Sequence, residues 1–351
     1  MFFASDNSSG VPAAILEALA RANDGFAPGY GADAIMERVR ARIRAIFEAP
    51  EAAVHLVATG TAANALSLAT FCPPWGAVYC HRVAHIEEDE CGAPEFYTGG
   101  AKLVLMGGEH GKIDPQELDI KLKNAARVGV HNVQKGMLSL TNLTECGSRY
   151  SVAEIRALTA IAKAHDLPVH LDGARFTNAL VAEGCTPAEM TWKAGVDVLS
   201  FGGTKNGLMG VEAVVIFDPA KAWEFELRRK RGGHLFSKHR FLSAQMEAWL
   251  EGDLWLTLAR HANAMAARLE TGLIALPDTA LLHPRGGNML FPALPRSAHR
   301  RAHKAGAAYY FWPHDRSLEG DDSEALSARL VASWSTTEAQ VDAFLALVAP
   351  Q

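Results

Sequence analysis

No apolar stretch in the 351-residue chain is long enough to serve as a membrane span, which needs about 20 such residues. Cysteine is scarce: the five residues at 72, 80, 91, 146 and 185 form no C-x-x-C pair, and their number is odd. Residues 1–10 hold no signal-peptide pattern, so reduced thiols and a cytoplasmic location are expected. A net charge of −5 gives no case for nucleic-acid binding, which would show as a basic face. Neither G-x-x-x-x-G-K nor G-x-G-x-x-G occurs, which removes the two common nucleotide-binding signatures. No internal repeat or low-complexity segment is visible. What remains is a chain with 49% hydrophobic residues, long enough for a large core and for two domains.

Hydrophobic patterning predicts alternating strands and helices. Short apolar runs at 54–57, 77–81, 102–106, 136–141, 169–172, 196–200 and 213–217 read as buried strands. Helices are expected over 13–22 and 34–48, and Ser151 with Glu154 forms a capping box that opens a helix to about residue 164. This β–α order implies an α/β fold, with a mostly parallel central sheet covered by helices on both faces. Beyond residue 238 the texture changes. A long helix over 240–269, with a break near Gly252, precedes strands at 288–291 and 329–333. The expected division is a large domain over 1–238 and a smaller C-terminal α+β domain over 239–351.

Lys205 is the most informative residue. It follows a predicted strand in Asp-Val-Leu-Ser-Phe-Gly-Gly-Thr-Lys-Asn-Gly (197–207). Gly202, Gly203 and Gly207 let backbone and a flat ligand come close, and the Ser200 and Thr204 hydroxyls suit a phosphate or a bonded turn. Lysine forms Schiff bases once desolvation lowers its pKa. By itself such a lysine is more commonly a solvated loop residue. Upstream, Val-His-Leu-Asp-Gly-Ala-Arg (169–175) puts Asp172 at the carboxyl end of a strand, the edge where ligands bind in parallel sheets. A carboxylate there, with a Schiff-base lysine after a later strand, suits pyridoxal 5'-phosphate, whose ring nitrogen it would keep protonated. A third piece is Ala-Thr-Gly-Thr-Ala-Ala-Asn (58–64), where Gly60 and Thr61 open a helix whose free amides can bind a phosphate.

These stretches, together with Ala-Ser-Asp-Asn (4–7), Gly-Tyr-Gly (29–31), Ala-His-Ile-Glu-Glu-Asp-Glu-Cys-Gly-Ala (84–93) and Ala-Arg-Leu-Val-Ala-Ser-Trp (328–334), carry a family resemblance. The chain resembles the threonine aldolase group of the β-eliminating lyase superfamily, fold-type I pyridoxal-phosphate enzymes, nearly end to end. Two places depart from the pattern. The lysine lies in Thr-Lys-Asn-Gly rather than Ser-Lys-Gly, and the region 231–240, where further phosphate ligands would be sought, aligns loosely.

The resemblance implies roles residue by residue. Lys205 would hold the cofactor, and Asp172 would face its ring nitrogen. His85 would lie on the ring and relay a proton. Gly60 and Thr61 would take the phosphate. Arg175, Arg329 and Ser5 would hold the substrate carboxylate, since Arg grips carboxylates bidentately. Tyr30 would be supplied across a subunit interface of a homotetramer with shared active sites, and His131 aligns with an active-site histidine. The implied reaction cleaves a β-hydroxy-α-amino acid such as L-threonine or L-allo-threonine to glycine and an aldehyde. β-Elimination or racemisation on the same scaffold is the alternative. No metal is expected: His81 and His85 are spaced i, i+4, but Arg82 departs from H-E-x-x-H. His299 and His303, among Arg296, Arg300, Arg301 and Lys304, read as a solvated helix face.

Overall fold

A computed structural model describes every residue except Ala126, Val128, Asp278 and Gln351. A seven-stranded sheet forms the centre. Its strands are β1 (Ala53–Val57), β2 (Gly76–His81), β3 (Lys102–Met106), β4 (Gln134–Thr141), β5 (Val169–Gly173), β6 (Val198–Gly202) and β7 (Glu212–Ile216). They run in the order β1-β7-β6-β5-β4-β2-β3. From β6 to β3 every pairing is parallel, while β7 runs antiparallel between β6 and β1. Strands β1, β2, β5, β6 and β7 are buried along their whole length. That is why they read as continuous apolar runs rather than alternating ones. Edge strand β3 shows exposed Lys102 and Leu105 instead.

This topology gathers chain ends. Because β7 is reversed, its first residue, Glu212, pairs with the last residues of β1 and β6, Val57 and Gly202. The carboxyl ends of β1, β2, β4, β5 and β6 therefore share one edge with the start of β7. The segments at 58–61, 82–85, 141–145, 172–175 and 203–205 all leave from that edge.

The turn that carries Lys205 is clamped from behind. Phe201 packs against Phe47, Phe176, Trp249 and Trp255, with ring centroids 5.1 to 5.6 Å apart. Truncating so enclosed a ring costs about 3–5 kcal/mol. Trp249 Nε1 donates to Asn206 O (2.9 Å), and Asn206 Nδ2 donates to Trp255 O (2.9 Å). The residue beside Lys205 is thus bonded twice to the helical segment that follows. A Cβ on Gly202 would lie 2.4 Å from Ala174 O, so only glycine lets β6 pass so close to the backbone after Asp172.

The helix expected over 240–269 is two helices, Arg240–Leu250 and Leu254–Ile274, parted at Gly252 and Asp253, both with φ near 56°. Beyond them a five-stranded antiparallel sheet holds Met289–Leu290, Pro292–Pro295 and Ala325–Val331 among its strands. It shares an apolar cluster with Leu269, Phe344 and, from the other end of the chain, Phe3. Phe3 N donates to Ala308 O, and Val331 N donates to Phe3 O. The N-terminal segment is thereby tied to the smaller sheet.

One expectation is corrected here. The helix Arg296–Lys304 is not a solvated basic face, because Arg296 and His299 are buried. His299 Nε2 bonds Leu326 O (2.9 Å) and Nδ1 bonds the Tyr309 hydroxyl (2.8 Å). Both ring nitrogens are satisfied in the neutral form, which is what lets an imidazole enter the core.

Candidate active site

At the shared sheet edge lies a cavity of about 240 Å³ lined by Thr59, Gly60, Thr61, Asn64, His85, Glu90, Glu145, Asp172, Ala174, Arg175, Thr204, Lys205 and Glu212, among others. An adjoining cavity of about 500 Å³ shares His85, Glu145, Arg175 and Lys205, and adds Ser5, Asp89, Met289, Trp312, Pro313, His314 and Arg329. Six predicted residues, Gly60, Thr61, His85, Asp172, Arg175 and Lys205, therefore meet in the inner cavity. Ser5 and Arg329 join them at its outer extension.

Asp172, almost fully buried, pairs in register with Thr141 of β4 and Ser200 of β6. Its Oδ1 accepts from Ala174 N (2.9 Å) and its Oδ2 from Asn64 Nδ2 (2.9 Å). Lys205 sits in the 3₁₀ turn Thr204–Asn206, whose end at Gly207 has φ 99°. Burial, then the charge of Arg175, pull the lysine pKa down, against the pull of Asp6, Asp172 and Glu212. A depressed amine pKa is the state in which lysine attacks a carbonyl.

The helix Gly60–Phe71 starts where sequence placed its phosphate-binding turn. Thr59 caps it by accepting from Ala62 N (3.1 Å), and the amides of Gly60 and Thr61 precede the first bonded turn. Thr204 Oγ1, buried in the same cavity, lies near enough to Glu212 to lower its pKa, but no bond of good geometry holds it among the described residues. Ser200 lines neither cavity, and its hydroxyl bonds buried His170 Nε2 at 3.0 Å.

The two arginines differ. Arg175 gives Nε and Nη2 to buried Asp6, at 2.7 and 2.9 Å. Burial raises the Asp6 pKa, yet the charge and hydrogen bonds of Arg175, aided by Lys205 and Asn288, outweigh that and hold it below the usual value. Arg329 has one long bond, Nη2 to Ala4 O (3.3 Å), and no carboxylate partner among the described residues. Ser5 caps the turn Asp6–Ser8 by accepting from Asn7 N.

Two candidates are not brought to the cavity. His131 is exposed in the turn before β4, at the amino end of the strand, whereas the cavity lies past its carboxyl end. Eight extended residues put about 25 Å between the two edges, so a short motif match misjudged its reach within this chain. Tyr30 is exposed at φ 59°, with Lys230 Nζ 4.7 Å from its ring centroid, and lines neither cavity. The loosely aligned region 231–240 sends no side chain into the inner cavity. Among the described residues its cations are Arg175 and Lys205 alone.

Sequence reasoning missed a set of buried acids. Glu145 and Glu212 both have pKa values pushed up to about 7, chiefly by burial. Glu145 Oε1 accepts His85 N (2.7 Å), and Glu212 Oε2 accepts Gly203 N (2.6 Å). Glu90 and Asn64 connect His85 to Asp172 (Glu90 Oε1 to His85 Nδ1, and to Asn64 Nδ2, both 2.9 Å). The one available signal was position, since each follows or begins a strand at the edge that bears Asp172.

The chemistry of this set fits pyridoxal phosphate. Amides at a helix start and an orphaned threonine hydroxyl suit its phosphate, Asp172 its ring nitrogen and Lys205 its aldehyde. Three comparisons agree. The profile of the family described as beta-eliminating lyase matches residues 3–291. The low-specificity L-threonine aldolase of Pseudomonas sp. (strain NCIMB 10558) is 39% identical over 97% of this chain and 94% of its own. That of Pseudomonas aeruginosa is 40% identical over 95% and 93%. A solved structure, a threonine aldolase of Leishmania major, superposes with a TM-score of 0.90 at 30% identity, covering 99% of this chain and 98% of that one. A Sphingomonas wittichii serine palmitoyltransferase, at 15% identity and a TM-score of 0.71 over 99% and 86%, shares the fold.

Proposed function

The chain belongs to the β-eliminating lyase family, and from that premise we propose how its own residues perform the reaction. It is a pyridoxal-phosphate-dependent carbon–carbon lyase of the threonine aldolase type. It cleaves L-threonine, L-allo-threonine or a related β-hydroxy-α-amino acid into glycine and an aldehyde. The observation that carries the assignment of roles is the meeting of Lys205, Asp172 and His85 in one cavity, with Arg175, Arg329 and Ser5 at its mouth.

The chemistry pyridoxal phosphate supplies when bound is an electron sink for the pair left on Cα. Lys205 would anchor it through its amine. The Gly60 and Thr61 amides with the Thr204 hydroxyl hold the phosphate end. Asp172, fixed by Ala174 N and Asn64, keeps a proton on the ring nitrogen. Arg329 and Arg175, with Ser5, fix the substrate carboxylate. That orientation would decide which bond at Cα breaks. His85 Nε2 accepts the β-hydroxyl proton, so the Cβ–O bond becomes a carbonyl as Cα–Cβ breaks and the aldehyde leaves. A proton returned to Cα gives glycine.

Residues 1–238 are read as the cofactor-binding domain and 239–351 as the smaller one, a reading supported by the change from a parallel to an antiparallel sheet. Assembly is proposed as a homotetramer, with exposed Tyr30 serving a neighbouring subunit's site. No helix among the described residues is long and apolar enough to cross a membrane, which is compatible with the cytoplasmic location we propose.

The test is aldehyde release by the cofactor-loaded protein from the four threonine stereoisomers and phenylserine, each offered separately. Release from the L isomers is expected, and relative rates give the Cβ preference. A yellow protein silent on all of them would discard the aldolase assignment in favour of elimination or racemisation.

A further inference from the structure

Glu90 ends an acidic run in which Glu87, Glu88 and Asp89 are exposed, yet its own side chain has no exposure at all. Burying a carboxylate costs several kcal/mol unless donors compensate it. Here two donors meet Oε1, while buried Oε2 finds no partner among the described residues. After the short helix His85–Glu88, Cys91 and Gly92 both adopt left-handed φ, 51° and 71°, and this reversal aims Glu90 inward. There its Oε1 accepts from His85 Nδ1 and from Asn64 Nδ2, each at 2.9 Å. The other hydrogen of the Asn64 amide goes to Asp172 Oδ2, also at 2.9 Å.

An ionised carboxylate only accepts. Asn64, placed between two of them, must turn its nitrogen to both. His85, facing one of them, must carry its proton on Nδ1. Its Nε2 is then a lone pair, and that atom bonds no described residue while the ring lines both cavities. We infer that Glu90 and Asn64 are positioning residues that lock His85 in the Nδ1–H tautomer, with the Nε2 lone pair presented to the substrate hydroxyl. The inference rests on the reading of His85 as the base.

Burial, aided by the Asp172 charge, raises the Glu90 pKa, and the hydrogen bonds from His85 and Asn64 pull against it toward the ionised form. The groups facing His85 are Glu90 on its own loop, Glu145 after β4, Asp172 on β5 and Lys205 after β6, with Arg175 and Arg329 in the shared cavity. The bond to Glu90 raises the imidazole pKa, aided by Asp172 and opposed by burial and by Lys205, and the net direction is upward. A proton taken up at Nε2 therefore leaves an imidazolium whose Nδ1–H already meets a carboxylate. The same logic serves the histidine of acyl-transfer triads.

The test reads the tautomer directly, by nitrogen-15 NMR of histidine-labelled full-length protein. The His85 signals are picked out among 14 histidines by their loss in His85→Asn. The wild type should show Nδ1–H. In Glu90→Leu, of similar volume, the Nδ1–H loses its acceptor and the proton should move to Nε2. That variant should lose about 10²–10⁴-fold in kcat with little change in KM, and its acidic rate limb should move to lower pH. A packing role alone would shift neither tautomer nor limb. Wild-type His85 protonated at Nε2, or Glu90→Leu still protonated at Nδ1, overturns the inference. The first of these needs no variant to fold. Aldehyde release at the wild-type rate by His85→Asn would instead remove the base reading, whatever the tautomer.

Discussion

On the proposed reading Arg329 is kept for the substrate carboxylate, since no carboxylate among the described residues bonds it, and Arg329→Met exposes the cost. Arg175 is neutralised by Asp6 through two short bonds, and Asp6 is held in turn by Asn288 Nδ2 at 3.0 Å. Arg329 has only the long bond to Ala4 O, a buried Nε without a partner, and the rings of Tyr310 and Trp312 at 5.6 and 6.0 Å. Burial and then the Arg175 charge pull its pKa down. An unsatisfied buried polar group costs about 1–3 kcal/mol, more when charged, whereas two partly exposed cation–π contacts return about 0.5–1 kcal/mol each. Methionine keeps most of the packing, so the cofactor-free variant should be more stable by about 1 kcal/mol. Over 351 residues the unfolding entropy is about 0.7 kcal/mol per kelvin, so the melting temperature should rise by only about 1–2 °C. Binding should move much further the other way. Loss of a charge-assisted grip worth about 3–4 kcal/mol weakens glycine about 10²–10³-fold. Calorimetry of the cofactor-free protein and a glycine titration of the loaded protein read the two effects separately. Ethanolamine, an amine without the carboxylate, should bind both proteins alike. A variant that melts lower than wild type, or holds glycine within about threefold of it, refutes the argument that Arg329 is stored charge for the substrate.

Other perturbations are read more simply. Lys205→Ala should abolish both turnover and the yellow colour of the loaded protein, and a variant working at the wild-type rate would remove Lys205 from its role. Asp172→Asn keeps an acceptor for Ala174 N but loses the charge under the ring nitrogen. Its kcat should fall about 10²-fold or more while glycine affinity stays close to wild type, and an equal fall in both would assign Asp172 to binding instead. Burial draws the His299 pKa down to about 4, against its bond to Leu326 O, from an ordinary 6.5. Between those values the unfolded chain holds a proton that the folded one does not, so His299 removes stability as pH falls through that window. Wild type should therefore lose up to about 2–3 kcal/mol more than His299→Gln between pH 7 and pH 4.5. Urea titrations at the two pH values check this, and a pH-independent difference would contradict it.

The legible part of the site was the part written in strand ends. Asp172 and Lys205 each follow a short run buried on all sides, and such runs show in sequence whatever their neighbours are. Gly60 and Thr61 show because a helix start after a strand has few other uses. Strand direction was not legible in this way. The run that became β7 looks like its parallel neighbours, and only the reversal, fixed by pairing to β1 and β6, brings Glu212 to the cavity. Burial of charge was less legible still. Glu87 to Glu90 form one acidic run, and what separates Glu90 from the other three is a reversal at Cys91 and Gly92, of which only the glycine hints. Asn64 hides in the same manner, one of three buried polar residues of its helix with Ser67 and Thr70, and its amide matters because two carboxylates from other segments meet it. His131 is placed the other way, since its strand carries it to the edge far from its own chain's cavities. The groups that sequence names are those whose role follows from their own segment. Those that tune them, Glu90 on His85 and Asp6 on Arg175, act across 5 and 169 residues, and they become visible once the sheet has brought the segments together.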